Sequence, residues 1–404
     1  MVALHIAVAG CGPGGLAAAL LLRRDGHRVR LFERFAEPQP IGSGLMIQPT
    51  GQAVLRELGL KEELAGRSAR IERLFGQAGG RTVLDVRYAA LAGEGVGLGT
   101  HRAALFDILY QAVRAAAVPI ETGRTVTTSD AEGASRRLRF ADGSSDGPFD
   151  LVVDALGTRS PLAPPTGRPL AYGALWASLD WPADGSFSGA ALEQRYRRAS
   201  VMAGVLPLGR PRQDRPAQAA FFWSLRADRL EHWRAGGLDA WKAQVLDLWP
   251  ATRPLLDQIG AAEQLTFARY AHRTLTKPVE PALVHLGDAW HSASPQLGQG
   301  ANMALLDAYA LAIALRRTED VAAALGRFSQ LRSRHVRLYQ AASALFTPVY
   351  QSDGRLLPLV RDRLVGPLAN RWPAKRILAQ MVSGLIGDPL TPLGLAADRP
   401  SGSG

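Results

Sequence analysis

The chain has 404 residues, 47% of them hydrophobic, and a formal net charge of +11. That length supports one large or two ordinary domains with real cores, the single cysteine excludes an internal disulfide, and no apolar run approaches bilayer-spanning length. The basic residues are nearly all arginine and scattered, without interleaved aromatics, so the charge reads as a bias toward arginine and not as a nucleic-acid surface.

Leu4 to Ala9 is a short apolar run, as expected of a buried parallel strand. Gly10, Gly12 and Gly15 follow in G-x-G-x-x-G spacing, with Pro13 and Gly14 between them. Gly10 permits a tight turn, Gly12 lets a pyrophosphate approach the backbone, and Gly15 lets a helix pack close to the strand. That helix, Leu16 to Asp25, begins at the turn, so its free N–H groups and positive end face the phosphates. Gly26 ends it. His27 to Phe32 is the second strand, and Glu33 at its end can accept both hydrogen bonds of a ribose diol. A carboxylate there disfavours a 2′-phosphate, so the expected dinucleotide is FAD or NAD and not NADP. Cys11 fills a turn position that needs a small residue and has no partner to activate it. The chain enters its fold at once, so a soluble cytoplasmic protein without a signal peptide is expected.

Phe35 to Pro40 is a loop, and Gly42 to Gln48 runs into an extended segment. Gly51 to Leu58 is an amphipathic helix stopped by Gly59. Ile71 to Val86 alternates strand-like pieces with glycine turns. Thr100-His101-Arg102 opens a helix with Leu105, Leu109 and Val113 on one face. Pro119 to Thr128 reads as a strand, and Arg136 to Phe140, Asp142-Gly143 and Asp150 to Val153 as a hairpin and a further strand. After a linker-like stretch, Leu162 to Gly167, the aromatic runs Ala174–Trp181, Tyr196–Leu208 and Ala219–Leu225 form an antiparallel sheet in a second layer. Phe222 and Trp223 lie on opposite faces of one strand, so only one of these candidates can line a substrate pocket. Leu238 to Ile259 is helical, interrupted at Pro250 and Pro254. Ala282 to Leu286 is a buried strand feeding Gly287-Asp288. The residues Ser294-Pro295-Gln296-Leu297-Gly298-Gln299-Gly300-Ala301-Asn302 then lead into a helix reaching Arg316, whose N-terminus can stabilise negative charge. Ala322 to Leu345 is a further helix.

The expected architecture is α/β. A Rossmann-like dinucleotide-binding domain occupies residues 1–160 and 281–345, and an antiparallel β-sheet substrate domain is inserted at 161–280. A C-terminal helical segment follows at 346–397, and 398–404 is a disordered tail.

Together these motifs resemble the FAD-dependent aromatic hydroxylases, the para-hydroxybenzoate and salicylate hydroxylase group of flavoprotein monooxygenases. The likeness runs from Ile6 to about Leu345. It rests on the glycine motif with its terminal Glu33, on His101-Arg102-x-x-Leu105, and on G-D-A-x-H-x-x-x-P followed by G-Q-G-A-N, in the family's order. The resemblance implies a cofactor, FAD, with Glu33 and Arg34 at the adenosine end and Val126 touching adenine through its backbone. It implies Arg102 near pyrophosphate and ribitol, and Asp288 on ribitol. Gly44, Leu45 and Pro295 would border the ring, and Gly298, Gly300, Ala301 and Asn302 would face its N1 and O2 edge. His291 is a weak candidate base, with a structural role preferred. Where the family has V-G-A-D-G-x-x-S, this chain reads Val153-Asp154-Ala155-Leu156-Gly157-Thr158-Arg159-Ser160. The usual Asp is Leu156, and Asp154 could replace it only if the backbone shifts. Trp290 stands where Ala is common.

The resemblance implies a monooxygenase using NADPH or NADH and O2 to hydroxylate or epoxidise an aromatic or other electron-rich small molecule through a flavin C4a-hydroperoxide. The alternative, kept open by Leu156, is a related FAD-dependent oxidase, dehydrogenase or rearrangement enzyme without oxygen insertion. A non-catalytic binding protein is a third reading, opposed by motifs intact at both ends of the dinucleotide. No metal cluster or Ser–His–Asp pattern suggests other chemistry. No nucleic-acid or membrane partner is expected, and the chain is expected to be a monomer or homodimer.

Overall fold

The computed structural model describes residues 2–40, 42–91, 93, 95–212, 214–354, 356–365 and 371–397, without the side chains of 364 and 365. The tail expected to be disordered lies outside the described residues.

A six-stranded sheet runs in the order Val279–Glu280, Leu283–His285, Leu151–Asp154, His5–Ala9, Arg28–Phe32, Ile120–Glu121. All neighbours are parallel except the first pair. The central strand His5–Ala9 is apolar and buried from Ile6 to Ala9 because both faces are covered. Ile6 and Val8 point into the main core with the helices Pro13–Arg24, Arg102–Ala115 and Gly300–Arg316, whereas Ala7 and Ala9 meet a three-stranded sheet made of Val126–Glu132, Ser135–Phe140 and Ser145–Phe149. The helix Gly300–Arg316 is buried over almost its whole length for the same reason. It packs against Pro13–Arg24, Pro49–Glu57 and the long helix Val321–Tyr350.

The segment expected to form one strand from Pro119 to Thr128 is split. Gly123, at φ 69°, turns the chain between Ile120–Glu121 in the parallel sheet and Val126–Glu132 in the small one. The run Tyr196–Leu208 likewise becomes two strands, Ala191–Arg197 and Val201–Gly209, reversed at Arg198 with φ 58°.

The second large sheet has seven strands, ordered Thr266–His272, Arg168–Asp180, Gln218–Arg226, Val201–Gly209, Ala191–Arg197, Arg73–Ala78, Arg81–Arg87. It is antiparallel apart from one parallel pair, Ala191–Arg197 with Arg73–Ala78. Two of its strands therefore come from residues 73–87, well ahead of the linker at 162–167. Helices Leu230–Gly236, Leu238–Leu248 and Arg253–Leu256 cover its far face over a core of Trp223, Trp241 and Trp249. The near face meets a small sheet of Gly44–Ile47, Gly97–His101 and Ala69–Ile71. It also meets the C-terminal helix Ala374–Ser383, through Met46, Leu208, Ala220, Ala379 and Val382. The long helix continues through Pro348 to Tyr350, past the expected end near Leu345.

Candidate active site

The glycine turn has the shape its sequence requires. Gly10 sits at φ 104°, and a Cβ there would stand 2.6 Å from the carbonyl oxygen of Ala155. A Cβ on Gly15 would stand 2.0 Å from the carbonyl oxygen of Gly10, so the helix lies hard against the turn. Pro13 occupies the first helical turn, where its missing N–H costs nothing. Glu33 braces the turn: its two carboxylate oxygens accept the N–H groups of Cys11 (2.9 Å) and Phe35 (3.1 Å). Burial and the neighbouring Glu33 push the Cys11 thiol up, which keeps it an unreactive protonated group. Arg34 is exposed beside Phe35. Val126 lies close by, in the core cluster of Phe32 and Phe140, and the Arg124 N–H two residues before it donates to the Glu33 carbonyl at 2.8 Å.

Opposite the turn, Arg102 opens its helix with its N–H bonded to the Ser43 carbonyl at 2.9 Å. Its guanidinium is packed into the wall, its Nε has no partner, and the loss of water lowers its pKa while Asp288 favours its charge. Asp288 lies open to the cleft, yet the protein mass around it pushes its carboxyl up, opposed by His291 and Arg102. Thr158 Oγ1 reaches Asp288 at 3.5 Å. The segment Pro295–Leu297 makes a single turn ending at Gly298, and Gly300 begins the long helix, whose first N–H groups have no intrahelical acceptors.

The side chain of Asn302 does not face this space. Its amide is spent on backbone: Nδ2 donates to the carbonyls of Met46 and Gly298, both at 3.0 Å, and Oδ1 accepts Gln48 N–H at 2.8 Å. It ties the loop bearing Gly44 and Leu45 to the helix start. Gln48 is a residue the sequence reading missed. Tyr88 donates to its Oε1 at 2.5 Å, while its buried Nε2 is unpartnered and faces Gly298. Only the G-S-G-L-M-I-Q run hinted at it.

The pocket wall on the second sheet is also partly unexpected. Trp176 stacks on Phe222 at 4.6 Å and donates from Nε1 to Tyr270 at 2.9 Å. Burial pushes the Tyr270 phenol up to about 12. His101 Nδ1 accepts the Ala103 N–H, which places the ring proton on Nε2, 3.2 Å from Ser178 Oγ; Ser178 in turn bonds Ser43. Of the two aromatic candidates, Phe222 is on this near face, packed with Tyr196, Met202 and Tyr350. Trp223 is not a pocket residue on this side. Strand alternation turns it to the far face, T-shaped against Trp241.

Burial bears on two further residues. Asp154 does not stand in for the missing Asp: it is fully buried, accepting Leu156 N–H (3.0 Å), Ser160 Oγ–H (2.6 Å) and a bond from His285 Nδ1 (2.7 Å). His291 is buried with Nε2 2.7 Å from Asp307, which also binds Arg332 Nε at 2.7 Å and Gly287 N–H at 2.9 Å. That arrangement gives it a structural place and no route to a substrate.

The groups in the cleft fit an FAD. An unpartnered guanidinium nitrogen and two glycine-rich helix starts suit its phosphates and pyrimidine edge, and open Asp288 suits its polyol. Residues 3–338 match the family described as FAD binding domain. The chain belongs to the FAD-dependent aromatic hydroxylase family and is an FAD-dependent monooxygenase. It is 30% identical over 345 residues to a protein of Rhodococcus erythropolis named as a candidate 2-heptyl-3-hydroxy-4(1H)-quinolone synthase, covering 81% of this chain and 83% of that one. It is 29% identical to 3-amino-4-hydroxybenzoate 2-monooxygenase of Streptomyces cremeus, covering 87% and 89%. Klebsiella pneumoniae HpxO, solved with FAD and uric acid, shares the fold with a TM-score of 0.77 at 20% identity, over 95% of this chain and 97% of that one.

Proposed function

We propose that the enzyme takes electrons from NADH or NADPH and places one oxygen atom of O2 on a small aromatic substrate held between the Ser43–Gln48 loop and the second sheet. The observation that carries this reading is the desolvated, half-satisfied Arg102 facing open Asp288 beside an apolar wall of Met46, Leu208, Ala220 and Val382. Bound FAD supplies the redox chemistry.

The chain's own residues bind and orient. Glu33 takes the adenosine ribose, Val126 the adenine through its backbone, and the turn Gly10–Gly15 with Arg102 the pyrophosphate. Asp288 takes the ribitol. Gly44, Leu45 and Pro295 border the ring. The N–H groups of Gly298, Gly300 and Ala301 face its pyrimidine edge, with the Gln48 amide held by Tyr88 as an added donor. Trp176, Tyr270 and the apolar wall exclude water and accept a flat substrate. His101, Ser178 and Ser43 form a chain able to pass a proton toward the Gly44 loop.

The test is oxygen-dependent oxidation of NADH and NADPH by the flavin-loaded protein. It is run with quinolones, amino- and hydroxybenzoates and polyketide aromatics, and product mass is read after oxygen-18 labelling. Substrate-stimulated consumption with one labelled atom in the product is expected. Flavin-loaded protein that oxidises a substrate without incorporating label would point to the oxidoreductase chemistry without oxygen insertion.

A further inference from the structure

Apart from Val2, every large apolar side chain exposed among the described residues lies between Leu338 and Ile377. Two groups stand out. Leu356, Leu357, Leu359 and Val360 cover the short helix Leu356–Val360, with Leu356 71% exposed. Trp372, 75% exposed, and Ile377 mark the start of helix Ala374–Ser383. The elements that carry the two groups meet the same strand. The turn Arg361–Val365, which continues the first helix, and the second helix both pack on Arg81–Arg87, the edge strand of the second sheet. The elements close an open sheet edge and present apolar groups outward.

The charge on this face has one sign. Arg363, Arg371, Lys375 and Arg376 are exposed and have no partner among the described residues. The nearby acids are already used. Asp353 is held by Arg226 and Tyr172, and Asp362 by Arg361 at 2.7 Å. Arg361 itself turns inward over the Tyr196 and Tyr350 rings.

We propose that this face docks on the surface of an anionic lipid bilayer, lying on it without crossing it. Protruding Leu and Trp among Lys and Arg are the composition of helices that rest at a membrane interface, where acyl chains accept apolar groups without a fitted counter-surface and headgroups meet the cations. No helix among the described residues is long and apolar enough to cross a membrane. A second copy of the chain fits less well, because a two-fold interface sets the same patch against itself and would bring the cations Arg371, Lys375 and Arg376 onto a patch with the same charge. The face is backed by the apolar wall of the proposed site. The same helix turns Ala379 and Val382 inward onto the apolar wall with Met46, Leu208 and Ala220. An apolar substrate dissolved in the bilayer would thus meet the enzyme at the helix that covers its site. That consequence rests on the proposed substrate class; the docking does not.

The experiment is co-sedimentation of the full-length, flavin-loaded protein with phosphatidylcholine vesicles, with and without phosphatidylglycerol. Binding is expected to the anionic vesicles only, and to fall with added salt. The pair Lys375→Glu and Arg376→Glu weakens it by roughly tenfold or more, at about 1 kcal/mol for each cation removed. The pair Trp372→Asp and Ile377→Asp weakens it similarly, and neither pair changes flavin content. No binding to anionic vesicles overturns the proposal. So does binding that survives both pairs, since the attraction would then lie elsewhere on this basic chain. A dimer in sedimentation velocity that Ile377→Asp dissolves also overturns it and assigns the face to a second copy.

Discussion

The molecule holds two Arg–Asp sites about one short segment, and they differ in almost every respect. Asp307 and Arg332 are sealed: both are fully buried, joined at 2.7 Å, and Asp307 is saturated by His291 and Gly287 N–H. Arg102 and Asp288 are unfinished. The Arg102 Nε lacks a partner and Asp288 opens into the cleft. Residues 287–291 serve both, sending Asp288 outward and His291 inward. A buried cation joined directly to a carboxylate contributes to the fold, even with one nitrogen unpartnered as Nη2 of Arg332 is, whereas one without such a contact beside an open cleft is poised for an anion. The sealed cluster fixes the turn that carries the open one.

The contrast breaks most visibly at Asp307. Asp307→Ala leaves Arg332 and His291 buried without their carboxylate, and should cost about 3–5 kcal/mol. Thermal melting is expected to drop by many degrees and soluble yield to fall. A variant that melts as the parent does would show that the sealed pair is not what holds the turn. Arg102→Met should do the reverse. Removing a desolvated, incompletely bonded cation leaves the stability of the flavin-free protein within about 1 kcal/mol of the parent. FAD affinity, read by quenching of flavin fluorescence, falls roughly tenfold to a hundredfold, the effect of one or two charged hydrogen bonds. Unchanged affinity would remove Arg102 from the cofactor site.

The sealed cluster also has a pH signature. His335 accepts from Arg332 on Nδ1 and donates from Nε2 to the Gly384 carbonyl, both at 3.0 Å, so it is neutral. Burial, with Arg332 beside it, lowers its pKa to about 3, against roughly 6.5 when unfolded. The unfolded chain therefore takes up the proton first. Stability from His335 is present above about pH 6.5 and is lost as pH falls from there toward 3. Burial pushes the Asp307 carboxyl up, and His291 and Arg332 bring it down further, to about 2. Its contribution is present above about pH 4 and is lost as pH falls toward 2. His335→Gln, which keeps a donor for Gly384, should flatten melting temperature against pH between about 6.5 and 4. An unaltered slope would take the pH dependence away from this cluster.

The two sites were not equally legible. Gly10 to Gly15, Glu33, Arg102 and Asp288 announce themselves because their chemistry is local: a turn, a strand end, a helix start. The apolar runs of the parallel core strands, Ile6–Ala9 and Leu151–Val153, are equally plain, since both faces there are buried. What stayed hidden depends on distant pairing. Arg332 joins Asp307 from 25 positions away, and neither lies in a motif. Asn302 reads as a ligand residue, yet its side chain is used by Met46 and Gly298. Trp223 and Phe222 are indistinguishable in the sequence, because only the helical layer over the second sheet decides which face is outside. The exposed C-terminal apolar face leaves no long apolar run in the sequence, because an interfacial helix needs only a few protruding side chains.

The smallest expected effect concerns Leu156, where the family's Asp is absent. Its side chain packs against the cluster of Ala9, Phe32 and Val126, and its N–H is held by Asp154. Asp154 in turn is fixed by His285 and Ser160, so the loop to Thr158 is positioned without a carboxylate at 156. Leu156→Asp would set a second negative charge beside Asp154 and push it into apolar surroundings, costing about 1–3 kcal/mol. Flavin reduction by NADH or NADPH, followed anaerobically by loss of the visible absorbance, should stay within about twofold of the parent, because the buried network already does the positioning. A large acceleration instead would mean that the network holds the loop but leaves the nucleotide step short of a carboxylate, and Asp154 and His285 would then be stabilising residues only.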